Sequence, residues 1–267
     1  MAKPNIKIIY SDEDVLVINK PAGVSVTKDR TGSAELVDVL AEQLGADSTA
    51  NLRLVHRLDK WTSGVMILAR NKQAQSRFSS CFENRLIKKT YLAIVTGIAS
   101  EREGQINARL GRNRRNTALM NITAKKGKEA VTRWKLLANF GSIALLAVNP
   151  ITGRTHQIRV HLPSIGLPLA IDSVYGSSRG IFLSDFKLNY RLAKKQVEKP
   201  LIERLTLHAY QLEFVNPQPK LPEYFIAQLD KKFAAAIKML TKYNPPGAEA
   251  FIEPDDFDKI INGQKLD

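Results

Sequence analysis

At 267 residues, with 44% hydrophobic and 25% charged content, the chain has a globular make-up and length enough for one large domain or two small ones. Lys and Arg number 40 against 26 Asp and Glu, and this net charge of +14 favours a polyanionic partner, nucleic acid before anionic membrane. The lone cysteine, Cys81, excludes an internal disulfide and a cysteine-built zinc site.

Apolar runs such as IALLAV at 143–148 fall far short of the roughly 18–20 residues of a membrane span. The opening MAKPNIKIIYSDED has no apolar signal core before its first acids, so a cytoplasmic protein is expected. DVLVINKP at 14–21 alternates like a strand closed by a Pro-Ala-Gly turn. Ser33 is placed to N-cap a helix over 34–44, with Leu36, Leu40 and Leu44 on one stripe and Gly45 ending it. A second helix is predicted over 72–86, turning Ala74, Phe78, Cys81 or Phe82, and Leu86 inward, which makes Cys81 a packing residue.

Strands are expected at 90–97, 129–138, 142–148 and 205–215, then a helix at about 222–242 carrying Phe225, Leu229, Phe233, Ile237 and Leu240 and stopping before Pro245. A short tail richer in acids follows. Without a regular βαβ rhythm, the class is α+β with a mixed, largely antiparallel sheet. Basic residues bunch in RLGRNRR (109–115) and KKGK (125–128), both expected as loops between strands. They are either ordinary solvated loops or a rim that tracks phosphates through Arg112, Arg114, Arg115, Lys125 and Lys126.

Neither a P-loop nor a G-x-G-x-x-G fingerprint is present, and no G-x-S-x-G marks a nucleophilic serine. His156 and His161 lie five apart with no acid or cysteine to complete a metal set, so no metal is expected. Two segments remain that are richer in polar residues than a loop needs. In HRLDKWTSG (56–64), Asp59 is the only acid between Asn51 and Glu83, with Arg53, Arg57 and Lys60 around it. It is a surface ion pair or a carboxylate kept ionised for chemistry. TGRTHQIRVHL (152–162) begins as a turn and continues as an alternating strand, placing Gln157, Arg159 and His161 on one face.

Together these segments resemble the RluA-type pseudouridine synthases, which isomerise uridine to pseudouridine in RNA. HRLDKWTSG is similar to their signature H-R-L-D-x-x-T-S-G. TGRTHQIRVHL with GLPLAIDSVYG (166–176) is similar to T-G-R-x-H-Q-I-R-x-H-L…G-x-P-x-x-x-D-x-x-Y-G. DEDVLVINKPAGVSV (12–26), KKTYLAIVTG (88–97), GKEAVTRWKLL (127–137) and LHAYQLEFVNP (207–217) resemble further blocks, all in order. Leu167 and Ile171 depart from the usual G-H-P-I-x-G-D by replacing its His and second Gly, both packing-type changes. The first block begins at residue 12, leaving no room for the small N-terminal RNA-binding domain of many relatives.

The resemblance implies a catalytic domain over 1–220, with a C-terminal helix and tail at 221–267 packed on it or extending it. It implies a uridine in rRNA or tRNA as substrate, no cofactor, no membrane, and RNA as the partner of a monomer. Asp59 matches the catalytic aspartate, Tyr91 the tyrosine that stacks on the target base, and Arg57 the residue that fills the helix after the base leaves. Arg159 matches the carboxylate's buried cation, and neither signature segment holds another acid to satisfy it. His56, Thr62, Arg154, His156 and Gln157 are implied to shape the pocket or touch RNA. The competing readings are an RNA-binding protein without catalysis and a ribonuclease using His156 and His161.

Overall fold

The computed structural model describes residues 5–27, 35–45, 49–123, 127–192, 196–216, 221–244 and 250–266. In chain order the strands described are β1 (Lys7–Ser11), β2 (Val15–Lys20), β3 (Arg53–Leu54), β4 (Ser63–Ala69), β5 (Ile87–Thr96) and β6 (Glu103–Asn107). They continue with β7 (Leu110–Arg112), β8 (Met120–Ile122), β9 (Val131–Asn139), β10 (Ile143–Pro150), β11 (Leu207–Phe214) and β12 (Tyr224–Ile226). The chain forms two compact units. One comprises the residues up to Thr90, His208–Gln228 and the end from Gly263; the other comprises Tyr91–Leu207 and Leu229–Asn262.

In the first unit the strand order is β1-β2-β4-β11-β5, with β12 on β11 and β3 on the end of β4. Every residue of β4 is buried, as suits a strand paired on both sides. β2 lies antiparallel to β4, Val17 opposite Ile67, whereas β11 is parallel to it, Ser63 beside His208 and Gly64 beside Ala209. The second unit orders its strands β5-β10-β9-β6, all pairs antiparallel. Leu146, Val148, Trp134, Ile158, Leu162 and Leu207 belong to its core. The α+β class with a mixed, largely antiparallel sheet is therefore observed.

The helix Lys72–Glu83 is N-capped by Asn71, whose side chain accepts from the Ala74 N–H at 2.8 Å. Ala74, Phe78 and Cys81 face the core, and burial pushes the Cys81 thiol's pKa up, with Arg77 opposing it. Arg85 adopts a left-handed φ of 59°, so the helix ends before Leu86. The first helix runs Leu36–Leu44 with Gly45 as its C-cap, but Glu35 is the N-cap; Ser33 lies outside the described residues.

The C-terminal helix is shorter than periodicity predicts. Lys231–Lys242 begins at Asp230, whose carboxylate accepts from the Lys232 and Phe233 N–H groups. Phe233, Ala236, Ile237 and Leu240 form its buried stripe, worth about 1.5–3 kcal/mol for each large side chain fully buried. Phe225 instead sits in β12 opposite Leu212, because an apolar Tyr-Phe-Ile run beside an open strand edge gains more from pairing than from a helix. Within the tail, Asp256–Asn262 forms a further helix. No helix among the described residues is long and apolar enough to cross a membrane.

Candidate active site

Each part of HRLDKWTSG has a structural assignment in the first unit. His56 Nε2 accepts from the Ile67 N–H at 3.0 Å, and its ring stacks on Phe82 with centroids 4.2 Å apart. Burial, then the charge of Lys89, lowers its pKa to about 3, so the ring is neutral and fastens the loop to β4. Arg57 is exposed, while Leu58 is buried in the core. The Asp59 carbonyl accepts from the Thr62 N–H at 3.1 Å, closing a β-turn with Lys60 and Trp61 at its corners.

The Lys60 carbonyl is held twice, by the Gly23 N–H at 2.9 Å and by Lys20 Nζ at 3.0 Å. Lys20 is fully buried and donates also to the Pro21 and Val24 carbonyls, at 3.0 and 2.9 Å. The Pro-Ala-Gly turn and the Asp59 turn are thus tied together through a lysine that periodicity would place on a strand's polar face. Ser63 Oγ donates to His208 Nδ1 at 2.8 Å, since His208 Nε2 donates to the Ala227 carbonyl at 2.9 Å. Gly64, at φ 120°, lies so close to β11 that a Cβ there would overlap the Ala209 carbonyl oxygen. Lys89, half-buried on β5, has its pKa lowered to about 8 by burial and then by Arg85.

In the second unit, residues 152–162 are not an alternating strand. Gln157–His161 is a short helix entered through His156 in the left-handed region at φ 53°, and Leu162–Ile165 continues it as a 3₁₀ turn. Residues two apart on a helix point about 200° apart, so Gln157 and His161 share a face and Arg159 faces away from them. Gln157 accepts from Thr152 Oγ1 at 2.7 Å and the Arg154 N–H at 3.0 Å, and donates to the Val131 carbonyl and Thr132 Oγ1, both at 2.9 Å. His161, fully buried, accepts from Thr132 Oγ1 at 2.9 Å and donates to the Ala108 carbonyl at 3.3 Å. A turn followed by polar alternation reads the same for a strand and for this helix, whose polar side chains face inward to satisfy backbone.

Arg159 donates from Nε and Nη2 to the two oxygens of Asp172, each at 2.8 Å, and its guanidinium lies 5.1 Å above the Tyr175 ring. Asp172, which pairs with Arg159, lies eleven positions beyond His161 in GLPLAIDSVYG, outside the two signature segments. Burial would raise the Asp172 pKa, but Arg159 and the Val174 and Tyr175 N–H groups outweigh it and hold the carboxyl below its ordinary value. Tyr175 Oη is hydrogen-bonded to His156 Nδ1 at 2.7 Å and accepts from the Met120 N–H at 2.8 Å. Tyr91 lies half-buried on β5, paired with Val148 of β10. Leu167 and Ile171, the two departures from the signature, are both buried apolar residues.

The basic segment 109–115 is not a loop throughout. β7 and β8 form a two-stranded ribbon, Gly111 opposite Asn121, and Asn113 organises its tip by accepting from the Arg115 and Asn116 N–H groups. Arg112, Arg114 and Arg115 are exposed on it, and Lys128 pairs with Leu110 at its base. Lys125 and Lys126 lie outside the described residues. Arg154 is exposed and donates to the Glu129 carbonyl at 3.1 Å.

Residues 14–164 match the family model described as RNA pseudouridylate synthase. The chain belongs to the RNA pseudouridylate synthase family. An RNA pseudouridine synthase of Zymomonas mobilis is 36% identical over 229 residues, covering 85% of this chain and 95% of that protein. The ribosomal large subunit pseudouridine synthase D of Borreliella burgdorferi is 34% identical over 211 residues, 74% of this chain and 65% of its own length. A dual-specificity RNA pseudouridine synthase of Vibrio cholerae is 31% identical over 215 residues, covering 80% of this chain and 79% of its own.

Among solved structures, human RNA pseudouridylate synthase domain containing 4 superposes with a TM-score of 0.64 at 29% identity, covering 88% of this chain and 92% of that one. Human domain containing 1 reaches 0.68 at 24% identity over the whole of both chains, a likeness of fold. For this pseudouridine synthase the loop carrying Asp59 and the helix carrying Arg159 are both built by contacts that sequence spacing does not display. Lys20, His208, Asp172 and Tyr175 were not singled out from the sequence. Their one signal was membership of the quoted family blocks.

Proposed function

We propose that this pseudouridine synthase isomerises a uridine of rRNA or tRNA, acting as a cytoplasmic monomer, with Asp59 as the catalytic carboxylate. The observation that carries the reading is the build of the Asp59 turn: the residues flanking a single acid are fastened to the scaffold by His56, Lys20, Gly23 and Ser63. Such anchoring holds a reacting group in one geometry without thermal search. The reaction breaks the bond from ribose C1′ to uracil N1, turns the base and joins C1′ to C5. The C5 proton leaves and N1 gains one, so atoms balance without a redox step. A carboxylate can attack C1′, add to the base, or take the 2′ proton, and all three need it ionised.

We assign Arg159 to the catalytic set on the likeness of TGRTHQIRVHL to the family block. In the structure its guanidinium is held by the two-point chelate with Asp172. Tyr91 is assigned to stack on the target base, and exposed Arg57 to occupy its place in the RNA stack. His56 and Gln157 act as supports, since both are committed to backbone groups.

RNA labelled with tritium at uridine C5 tests the function. Release of tritium with chain length unchanged is expected, and Asp59→Ala should abolish release while binding RNA at least as well. Chain shortening would favour the nuclease reading, which the full burial of His161 already disfavours. Arg159→Met should lower the rate of tritium release without weakening RNA binding; an unchanged rate would remove Arg159 from the role.

A further inference from the structure

Trp61 is 48% exposed, yet it occupies a corner of the turn that begins at Asp59. An indole is costly to leave in water, and its exposure calls for a reason here more than at Ile98 or Leu188, which lie on segments with no proposed role. Nothing in the turn requires it: Lys60 and Trp61 fill the two unspecified positions of H-R-L-D-x-x-T-S-G, and the turn is closed by backbone. The ring is nonetheless supported from behind. A Cβ at Gly23 would stand 3.3 Å from Trp61 Cζ3, so the indole lies against bare glycine backbone at φ 90°. Among the described residues no other ring, cation or hydrogen-bond acceptor engages the indole.

We propose that Trp61 is a stacking platform for an RNA base flanking the target uridine. This rests on the reading of Asp59 as the catalytic carboxylate. Two residues of chain separate the two Cα atoms by no more than about 7 Å, within two nucleotide steps at the roughly 3.4 Å per nucleotide of a stacked strand. The reacting base must therefore approach Asp59, which leaves the adjacent base to the indole. Arg53 and Arg57 are exposed and Lys60 half-exposed nearby in sequence, so the backbone of such a strand meets cations while its base meets a ring. A protein partner would gain nothing from this arrangement beyond one apolar contact.

The enzyme has two tryptophans, and Trp134 is buried, so in Trp134→Phe the fluorescence comes from Trp61 alone. Titration with a short unstructured uridine-containing RNA should quench it, with the same midpoint as anisotropy of the labelled RNA. Trp61→Ala should weaken binding about five- to 150-fold, the range for one stacked base, and Trp61→Phe should restore most of it. In tritium release Trp61→Ala should raise KM and keep kcat, because stacking on a flanking base is present before and during the reaction. RNA binding without quenching, or unweakened binding by Trp61→Ala, overturns the proposal. So does a loss confined to kcat, which would place the indole's effect on loop geometry. Quenching and weakened binding in an enzyme that releases no tritium would sustain the platform and refute the activity.

Discussion

Arg159 and Asp172 chelate each other through two 2.8 Å hydrogen bonds while only 5% and 2% exposed. A buried ion pair of this kind adds little over well-packed apolar residues, but breaking it from one side leaves an uncompensated charge. Asp172→Ala should cost about 3–5 kcal/mol in urea unfolding, with Asp172→Asn intermediate because its side-chain oxygen can still accept from the Val174 and Tyr175 N–H groups. The folded pKa of Asp172 lies below its unfolded value, so its contribution is complete above the unfolded pKa and disappears as pH falls through the folded one. The Asp172→Ala cost should accordingly shrink in strong acid. A variant as stable as the parent at neutral pH would show that Arg159 is satisfied without Asp172.

His56 sets a second acid sensitivity, at milder pH. Its folded pKa is about 3 against roughly 6.5 unfolded, so between those values the unfolded chain binds a proton that the folded one refuses. Stability should fall with decreasing pH across that window by about 1.4 kcal/mol per pH unit for this group. His161, lowered in the same direction by burial, adds to it. In His56→Gln, whose side-chain oxygen can still accept from Ile67, the slope of unfolding free energy against pH should lose one proton. An unchanged slope would mean that His56 is protonated in the fold.

Gly64 allows no side chain. Both its φ of 120° and the nearness of the Ala209 carbonyl forbid a Cβ, and the obstacle is backbone on a paired strand, which cannot yield cheaply. Gly64→Ala should push β4 from β11, costing more than about 3 kcal/mol, and should reduce tritium release through the displaced Ser63–His208 bond. Circular dichroism melts read the first effect and release assays the second. Gly45→Ala offers the control, since no atom lies within 4 Å of a Cβ there and only the left-handed φ is strained.

Periodicity alone located β2, β5, β9, β10, β11 and the buried face of Lys72–Glu83, because each carries its apolar pattern in its own residues. It failed where a partner decides the outcome. Phe225 lies in β12 because β11 offers an edge, and Gln157–His161 is a helix because Val131 and Thr132 receive the Gln157 side chain. In the site, the signature blocks pointed to Asp59, Arg159 and Tyr91, but not to what holds them. Lys20 and Lys60 are 40 residues apart in sequence, and Ser63 and His208 are 145 apart. No spacing rule pairs residues at such distances. Asp172 stands in GLPLAIDSVYG, so the two signature segments by themselves show no acid for Arg159.

The exposed arginines of the β7–β8 ribbon make the last test electrostatic. Arg112, Arg114 and Arg115 sit at a tip ordered by Asn113, and the ribbon is fastened by the Met120 N–H to the Tyr175 hydroxyl, itself bound to His156. If these cations follow the phosphate backbone, each releases counterions on binding and none reads a base. Replacing all three by Ala should weaken binding to every RNA alike. It should also flatten the plot of log affinity against log salt by about 2–3, at roughly 0.7–0.9 per phosphate lost. The kcat at saturating RNA should be retained if the ribbon serves binding alone. An unchanged salt slope would return the ribbon to an ordinary solvated surface, and a fall in affinity for one sequence only would show that it reads bases.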